Sequence, residues 1–148
     1  YFPYTPSTNI LYGLDEALSM LLDEGLANVF ERHRRLAYAT QLAVAGWGLE
    51  NLCVNPEEYS NSTTAVLMPK GHDADALRNI ILEKFNMSLG MGLGKVKGTV
   101  FRIGHIGDFN ELMMAGTLSG VEMGLSIARV PHTKGGVNAA LEFLASSA

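Results

Sequence analysis

The chain has 148 residues, 47% hydrophobic and 18% charged, a globular composition that suits one domain of ordinary size and excludes a disordered segment. Its formal net charge of −4 argues against nucleic acid or an anionic membrane surface as a partner. Its single cysteine, Cys53, excludes an internal disulfide and points to a reducing, cytoplasmic setting.

The opening Pro3-Tyr4-Thr5-Pro6-Ser7-Thr8 reads as extended or turned, because Pro6 restricts Thr5 and because Ser7 or Thr8 can cap a helix. That helix is expected from about Asn9 to Glu24, with Leu11, Leu14, Leu18, Leu21 and Leu22 as its apolar stripe and Gly25 as its C-cap. A longer helix runs from about Ala27 to Ala45. Phe30, His33, Ala37, Thr40 and Val44 lie along one side, and Gly46 and Gly48 end it. Leu49–Val54 and Ser62–Met68 read as strands, broken by Asn55-Pro56 and Pro69. Asp73 caps a third helix over Ala74–Phe85. Met87–Leu89 reads as a short strand, Gly90–Gly98 as a glycine-rich loop, and Thr99–Ile103 as another strand. Asp108, with Glu111 three residues on, predicts a capping box for a fourth helix to about Ala128, striped by Met114, Leu118, Val121 and Leu125. A last helix opens at Thr133–Gly136 and runs to about Ala145. Strands gathered in the middle, with helices around them, predict an α/β fold of the two-layer α+β sandwich kind. Its sheet has three or four mostly antiparallel strands.

Several signals for chemistry fail on inspection. The glycine loop lacks the Gly-Lys-Ser/Thr run and succeeding helix of a P-loop, because Lys95 precedes Val96 and then a strand. It lacks the strand-to-helix setting of a dinucleotide fingerprint too, so it reads as a connection that passes close to something. The four histidines, His33, His72, His105 and His132, show no i, i+4 pair and no supporting cluster, so no metal site is expected. Cys53 reads as a small packed hydrophobe. The sequons at Asn61 and Asn86 are read as unglycosylated. No run approaches the ~20 apolar residues that span a bilayer. The first residue is not Met, which suggests a processed, trimmed or partial chain.

Arg102 interrupts an otherwise apolar strand, Val100-Phe101-Arg102-Ile103. One reading turns it to solvent or to a structural carboxylate. The other has a guanidinium on a rigid strand hold a substrate carboxylate by two parallel hydrogen bonds, with neighbouring glycines letting the substrate approach. His105, close by, either satisfies a backbone group at a bend or takes part in catalysis.

Arg102-Ile103-Gly104-His105-Ile106-Gly107-Asp108, then Leu112-Met113 and Gly120-Val121-Glu122, resembles the C-terminal region of the serine–glyoxylate and alanine–glyoxylate aminotransferases. These are class V, fold-type I enzymes that depend on pyridoxal 5′-phosphate. Pro3–Thr8 and Tyr12-Gly13-Leu14 resemble the segment which that family carries after its cofactor domain. The resemblance covers essentially the whole chain. It implies a crossing segment and linking helix over 1–25 and a small C-terminal domain over 26–148. It implies a homodimer, an upstream large domain, and a small amino acid and a 2-oxo acid as substrates. It assigns the substrate carboxylate to Arg102 and the cofactor phosphate of the partner subunit to Thr5, with Tyr1 or Tyr4 alongside.

The same resemblance places the cofactor-bearing lysine, the aspartate facing the pyridine nitrogen and the stacking aromatic upstream. No motif marks Lys70, Lys84, Lys95, Lys97 or Lys134 as that lysine. The chain alone is therefore expected to be inert. Two other readings stay open: a free-standing α/β binding or dimerisation module without chemistry, and a relative that runs a different reaction on the same fold.

Overall fold

The computed structural model of the chain describes Phe2–Ser147. It has two compact units, with the boundary between Arg32 and His33. In the first unit, α1 (Thr8–Glu24) buries none of its residues. Its predicted stripe is open to solvent, with Leu14 at 52% and Leu22 at 69% exposure. Gly25 ends the helix at φ +83°, its N–H bonded to the Leu21 carbonyl. Ser7 stands at the N-cap without a side-chain bond, so capping is left to backbone groups. The α2 helix (Leu26–Gly46) starts in this unit, where Arg32 Nε meets Glu24 Oε1 at 2.7 Å.

From His33 onward, α2 is succeeded by β1 (Glu50–Asn51), β2 (Thr63–Leu67), α3 (Ala74–Phe85), β3 (Gly90–Met91), β4 (Val100–Gly104), α4 (Glu111–Ile127) and α5 (Gly136–Ser146). The sheet is antiparallel throughout, in the order β1-β2-β4-β3. Side chains alternate across a strand, so one face carries Val66, Phe101 and Ile103, which are buried. They join Leu36, Val44 and Trp47 of the α2 region, Leu77 and Ile81 of α3, and Met114, Leu118, Val121 and Leu125 of α4 in one core. The predicted stripe of α4 buries completely, and α3 buries Ala74, Leu77 and Ile81. On α2 the expected side buries in part: Ala37, Thr40 and Val44 are covered, together with Leu36, Ala39 and Ala43, while Phe30 is exposed.

Three element boundaries differ from the sequence expectation. The first strand is two residues rather than Leu49–Val54. It has one neighbour, β2, and after Leu52 N–H bonds the Ala65 carbonyl the chain leaves the sheet for a 3₁₀ turn capped by Asn55. The short strand sits at Gly90–Met91, not Met87–Leu89, because Leu89 is buried and its carbonyl takes Arg78 Nε at 2.8 Å. The fourth helix is capped by Asn110, whose Oδ1 accepts from Met113 N–H at 2.9 Å, and not by Asp108. A tight turn, Phe109 N–H to Gly107 C=O at 2.8 Å, occupies the stretch around Asp108. Glu111 turns instead to Arg35, 3.1 Å away.

The start of α5 is locked from outside itself. Glu122 of α4 places Oε1 2.8 Å from Gly135 N–H, and Oε2 2.7 Å from Trp47 Nε1 and 3.2 Å from Val137 N–H. A carboxylate thus supplies the cap that the helix's own Gly135 lacks. Desolvation raises the Glu122 pKa, but the bonds from Gly135, Trp47 and Val137 outweigh it and hold the group below its ordinary value. Gly136 is needed where α5 meets α2, because a Cβ there would lie 2.5 Å from both the Ala43 carbonyl oxygen and Trp47 Cδ1.

Among the described residues, no helix is long and apolar enough to cross a membrane.

Candidate functional site

Arg102 lies on the sheet face opposite the core, because its neighbours Phe101 and Ile103 point inward. Its cross-strand partners are Ala65 on β2 and Gly90 on β3. Two residues along β4, on the same face, is Gly104, where a Cβ would meet nothing within 4 Å. Small residues therefore flank a half-buried arginine across the strands and on its Gly104 side, while Val100, two residues before it on the same face, is buried.

The arginine is neither loose nor neutralised. Its Nε donates to the Met91 carbonyl at 2.9 Å. Its side chain lies over Gly90, so closely that a Cβ built there would stand 3.1 Å from both Arg102 Cβ and Nε. No carboxylate among the described residues pairs with it, whereas Arg32, Arg35 and Arg78 each have one. Among the described residues, the reading in which Arg102 meets a structural carboxylate finds no acidic partner. What remains is a cation fixed at one edge, with its terminal nitrogens unbonded to the described residues. A guanidinium presented this way suits a planar anion.

The glycine-rich segment is the strand that carries this support. Gly92 N–H bonds the Val100 carbonyl at 2.9 Å, and Gly94–Val96 forms a 3₁₀ turn. The neighbour that the loop passes close to is β4 itself.

His105 is fully buried, at the end of the same strand. Its Nδ1 lies 3.1 Å from the Asn61 carbonyl, which can only accept, so Nδ1 carries the proton. Its Nε2, 3.0 Å from Thr64 Oγ1, therefore accepts from the hydroxyl. Burial lowers the pKa of His105, the Asn61 bond opposes this, and nearby His33 adds to the lowering. Both ring nitrogens are engaged, and the ring ties the end of β4 to the loop before β2. His33 lies within α2, its Nε2 accepting from Gly107 N–H at 3.1 Å. No group of three or more potential metal ligands occurs among the described residues.

The remaining candidates belong to the first unit. Thr5 and Tyr4 are exposed, Tyr4 at 86%, and the Thr5 hydroxyl has no partner among the described residues. Tyr1 lies outside the described residues. Lys70, Lys84, Lys95, Lys97 and Lys134 are all exposed. A cavity of about 280 Å³ is lined by Gln41, Asn51, Cys53, Tyr59, Thr63 and Ala65 among others, without Arg102. Cys53 is half-buried in that wall rather than packed in the core.

Sequence reasoning singled out Arg102 but missed its support. The contacts with Gly90 and the Met91 carbonyl depend on strand register, which no local pattern announces. Glu122 entered only as a letter in a motif. Its role depends on Trp47, far away in sequence.

No protein-family model matches the chain. It is 49% identical over 146 residues to a serine–glyoxylate aminotransferase of Arabidopsis thaliana, with 97% of the chain and 36% of that protein aligned. It is 49% identical over 145 residues to the enzyme of the same name from Methylorubrum extorquens, again covering 97% of the chain and 36% of the relative. Among solved structures it is similar to pyridoxamine–pyruvate aminotransferase of Mesorhizobium loti, with a TM-score of 0.93 and 32% identity over all of the chain and 38% of that structure. The chain therefore spans a little over a third of the length of the relatives it matches, in their C-terminal part.

Proposed function

The chain belongs to the serine–glyoxylate and alanine–glyoxylate aminotransferase family as its C-terminal part, and on that premise we propose that the intact protein transfers an amino group from a small amino acid, serine or alanine, to glyoxylate or another 2-oxo acid. In this proposal an upstream large domain holds pyridoxal 5′-phosphate and its lysine. The C-terminal part supplies the substrate-carboxylate site. The observation that carries the reading is the Arg102 guanidinium. It is oriented by the Met91 carbonyl, is flanked by Ala65, Gly90 and Gly104 on the sheet face away from the core, and has no carboxylate partner among the described residues.

Both substrates present an α-carboxylate, and an arginine fork recognises it in the amino acid and the oxo acid alike. One site can thus serve both halves of the reaction. When bound, the cofactor supplies the electron sink that such chemistry requires. The residues of this chain fit its phosphate end. Thr5 has an exposed hydroxyl without a partner among the described residues, and Tyr4 has an exposed phenol. In a homodimer these groups would reach the partner subunit's cofactor phosphate, with Tyr1 as the alternative tyrosine. The exposed stripe of α1 is the kind of surface an upstream domain covers. A cytoplasmic location goes with this reading.

The test is steady-state kinetics of the intact protein. Arg102→Ala should raise the KM for amino donor and oxo acid roughly ten- to hundredfold, corresponding to about 1.5–3 kcal/mol for a charged hydrogen-bonded pair. The absorbance of the bound cofactor should not change. An unchanged KM would remove Arg102 from the substrate site. An intact protein that begins near Tyr1 and binds no cofactor would favour the non-catalytic module instead.

A further inference from the structure

We propose that Gly90 is a positioning residue for Arg102, and that together with the Met91 carbonyl it forces the substrate carboxylate to dock end-on, through the two terminal nitrogens of the guanidinium. This rests on the reading of Arg102 as the carboxylate site and specifies how that site is built.

A guanidinium offers a carboxylate two kinds of edge. One pairs Nε with a terminal nitrogen, and the other pairs the two terminal nitrogens. In this chain the Nε–H is already taken by the Met91 carbonyl at 2.9 Å. The side-on edge is therefore closed, and the free donors lie at the tip. The absence of a side chain at position 90 keeps the Nε on that carbonyl. Gly90 is the cross-strand partner of Arg102, and the arginine side chain lies across it. A Cβ there would stand 3.1 Å from Arg102 Cβ, 3.1 Å from Nε and 3.5 Å from Cζ. Contacts of that length oblige the arginine to shift by a few tenths of an ångström, and the Nε bond to the Met91 carbonyl is the contact that such a shift strains.

The backbone does not account for the glycine. The residues with φ above zero include Gly94, Gly98 and Gly107 but not Gly90, so position 90 has a backbone that any residue adopts. Space for the arginine is the reason that the contacts at this position support. The edge strand β3 thus acts as a platform. Its carbonyl fixes one side of the guanidinium, and its bare Cα lets the side chain lie flat. Fixing the fork in advance reduces the ordering that the substrate must impose on binding.

The experiment uses the intact, cofactor-loaded enzyme in four forms: wild type, Gly90→Ala, Arg102→Ala and the double variant. KM and kcat are measured for the amino donor, together with the melting temperature and the cofactor absorbance. Gly90→Ala should raise KM about tenfold with little change in kcat, on the scale of a misplaced binding group. In the Arg102→Ala background the same substitution should add less than a factor of about two, since non-additivity marks residues acting through one another. A Gly90→Ala enzyme with wild-type KM, alongside a defective Arg102→Ala enzyme, overturns the positioning role and leaves the carboxylate reading intact. A wild-type KM in Arg102→Ala refutes the carboxylate reading itself. An equal loss from Gly90→Ala in both backgrounds would mean a general structural effect and also overturns the proposal. If Gly90→Ala alone fails to fold, the double variant should regain the wild-type melting temperature. Failure to regain it places the obstruction in the backbone and refutes the proposal.

Discussion

Glu122 offers a quantitative test of the packing between α4, α5 and Trp47. Replacing it by alanine removes the acceptor for three donors, Trp47 Nε1 at 2.7 Å, Gly135 N–H at 2.8 Å and Val137 N–H at 3.2 Å. The indole is the costly one. Trp47 is 0% exposed, so its N–H would be left without water, at about 1–3 kcal/mol. Losing an anion at the start of α5 adds about 0.3–1 kcal/mol. Gly135 and Val137 are only partly buried, and water can take over their N–H groups at small cost. The expected loss at neutral pH is therefore about 1.5–4 kcal/mol. Glu122→Gln keeps one acceptor oxygen and should fall between alanine and wild type. The pH dependence has a definite sign. The folded-state pKa is depressed, so the stabilisation by ionised Glu122 is fully present above the ordinary value of 4.5 and is lost as pH falls through the folded value. Urea unfolding of wild type and both variants at a series of pH values checks this. The gap between wild type and Glu122→Gln should be constant near neutrality and close in acid. A gap under about 0.5 kcal/mol at neutral pH, or one that persists undiminished in acid, would refute this capping role.

Two further variants address the core behind Arg102. His105 is buried neutral with its pKa lowered, so the stability it supports is full above the ordinary histidine value of 6.5 and declines as pH falls below it toward the folded value. His105→Gln should lose about 1–3 kcal/mol at neutral pH through the orphaned Asn61 and Thr64 groups, and should flatten the pH dependence; an unaltered profile by thermal melts would count against the neutral buried ring. Gly136→Ala should destabilise by about 1–3 kcal/mol despite alanine's better helix propensity, because its Cβ would lie 2.5 Å from the backbone oxygen of Ala43. A variant with unchanged or higher unfolding midpoint would show that α2 and α5 can separate there at no cost.

Much of this molecule is legible in its sequence. The order of elements comes from two periodicities. Met114, Leu118, Val121 and Leu125 recur at helical spacing and all bury. The Ala74–Phe85 helix is bounded by Asp73, which caps it, and Asn86, which ends it in the left-handed conformation. Arg102 is visible because a charge inside a strand of Val, Phe and Ile needs a reason. The errors fall where short-range signals compete. Asp108 and Asn110 both offer a cap, and the turn around Gly107 decides for Asn110. Edge strands such as β1 and β3 carry too few residues for their alternation to define ends.

Composition and local pattern thus determined the fold class, the helices and the one arginine worth watching, since burial periodicity and capping are written within a few residues of one another. Only the tertiary structure decided that Arg102 lies across Gly90 with its Nε on Met91, that His105 is neutral with both nitrogens bonded, and that Glu122 caps a helix other than its own. Each of those contacts joins residues set by strand register or helix packing, and register and packing are properties of the assembled chain that no single segment carries.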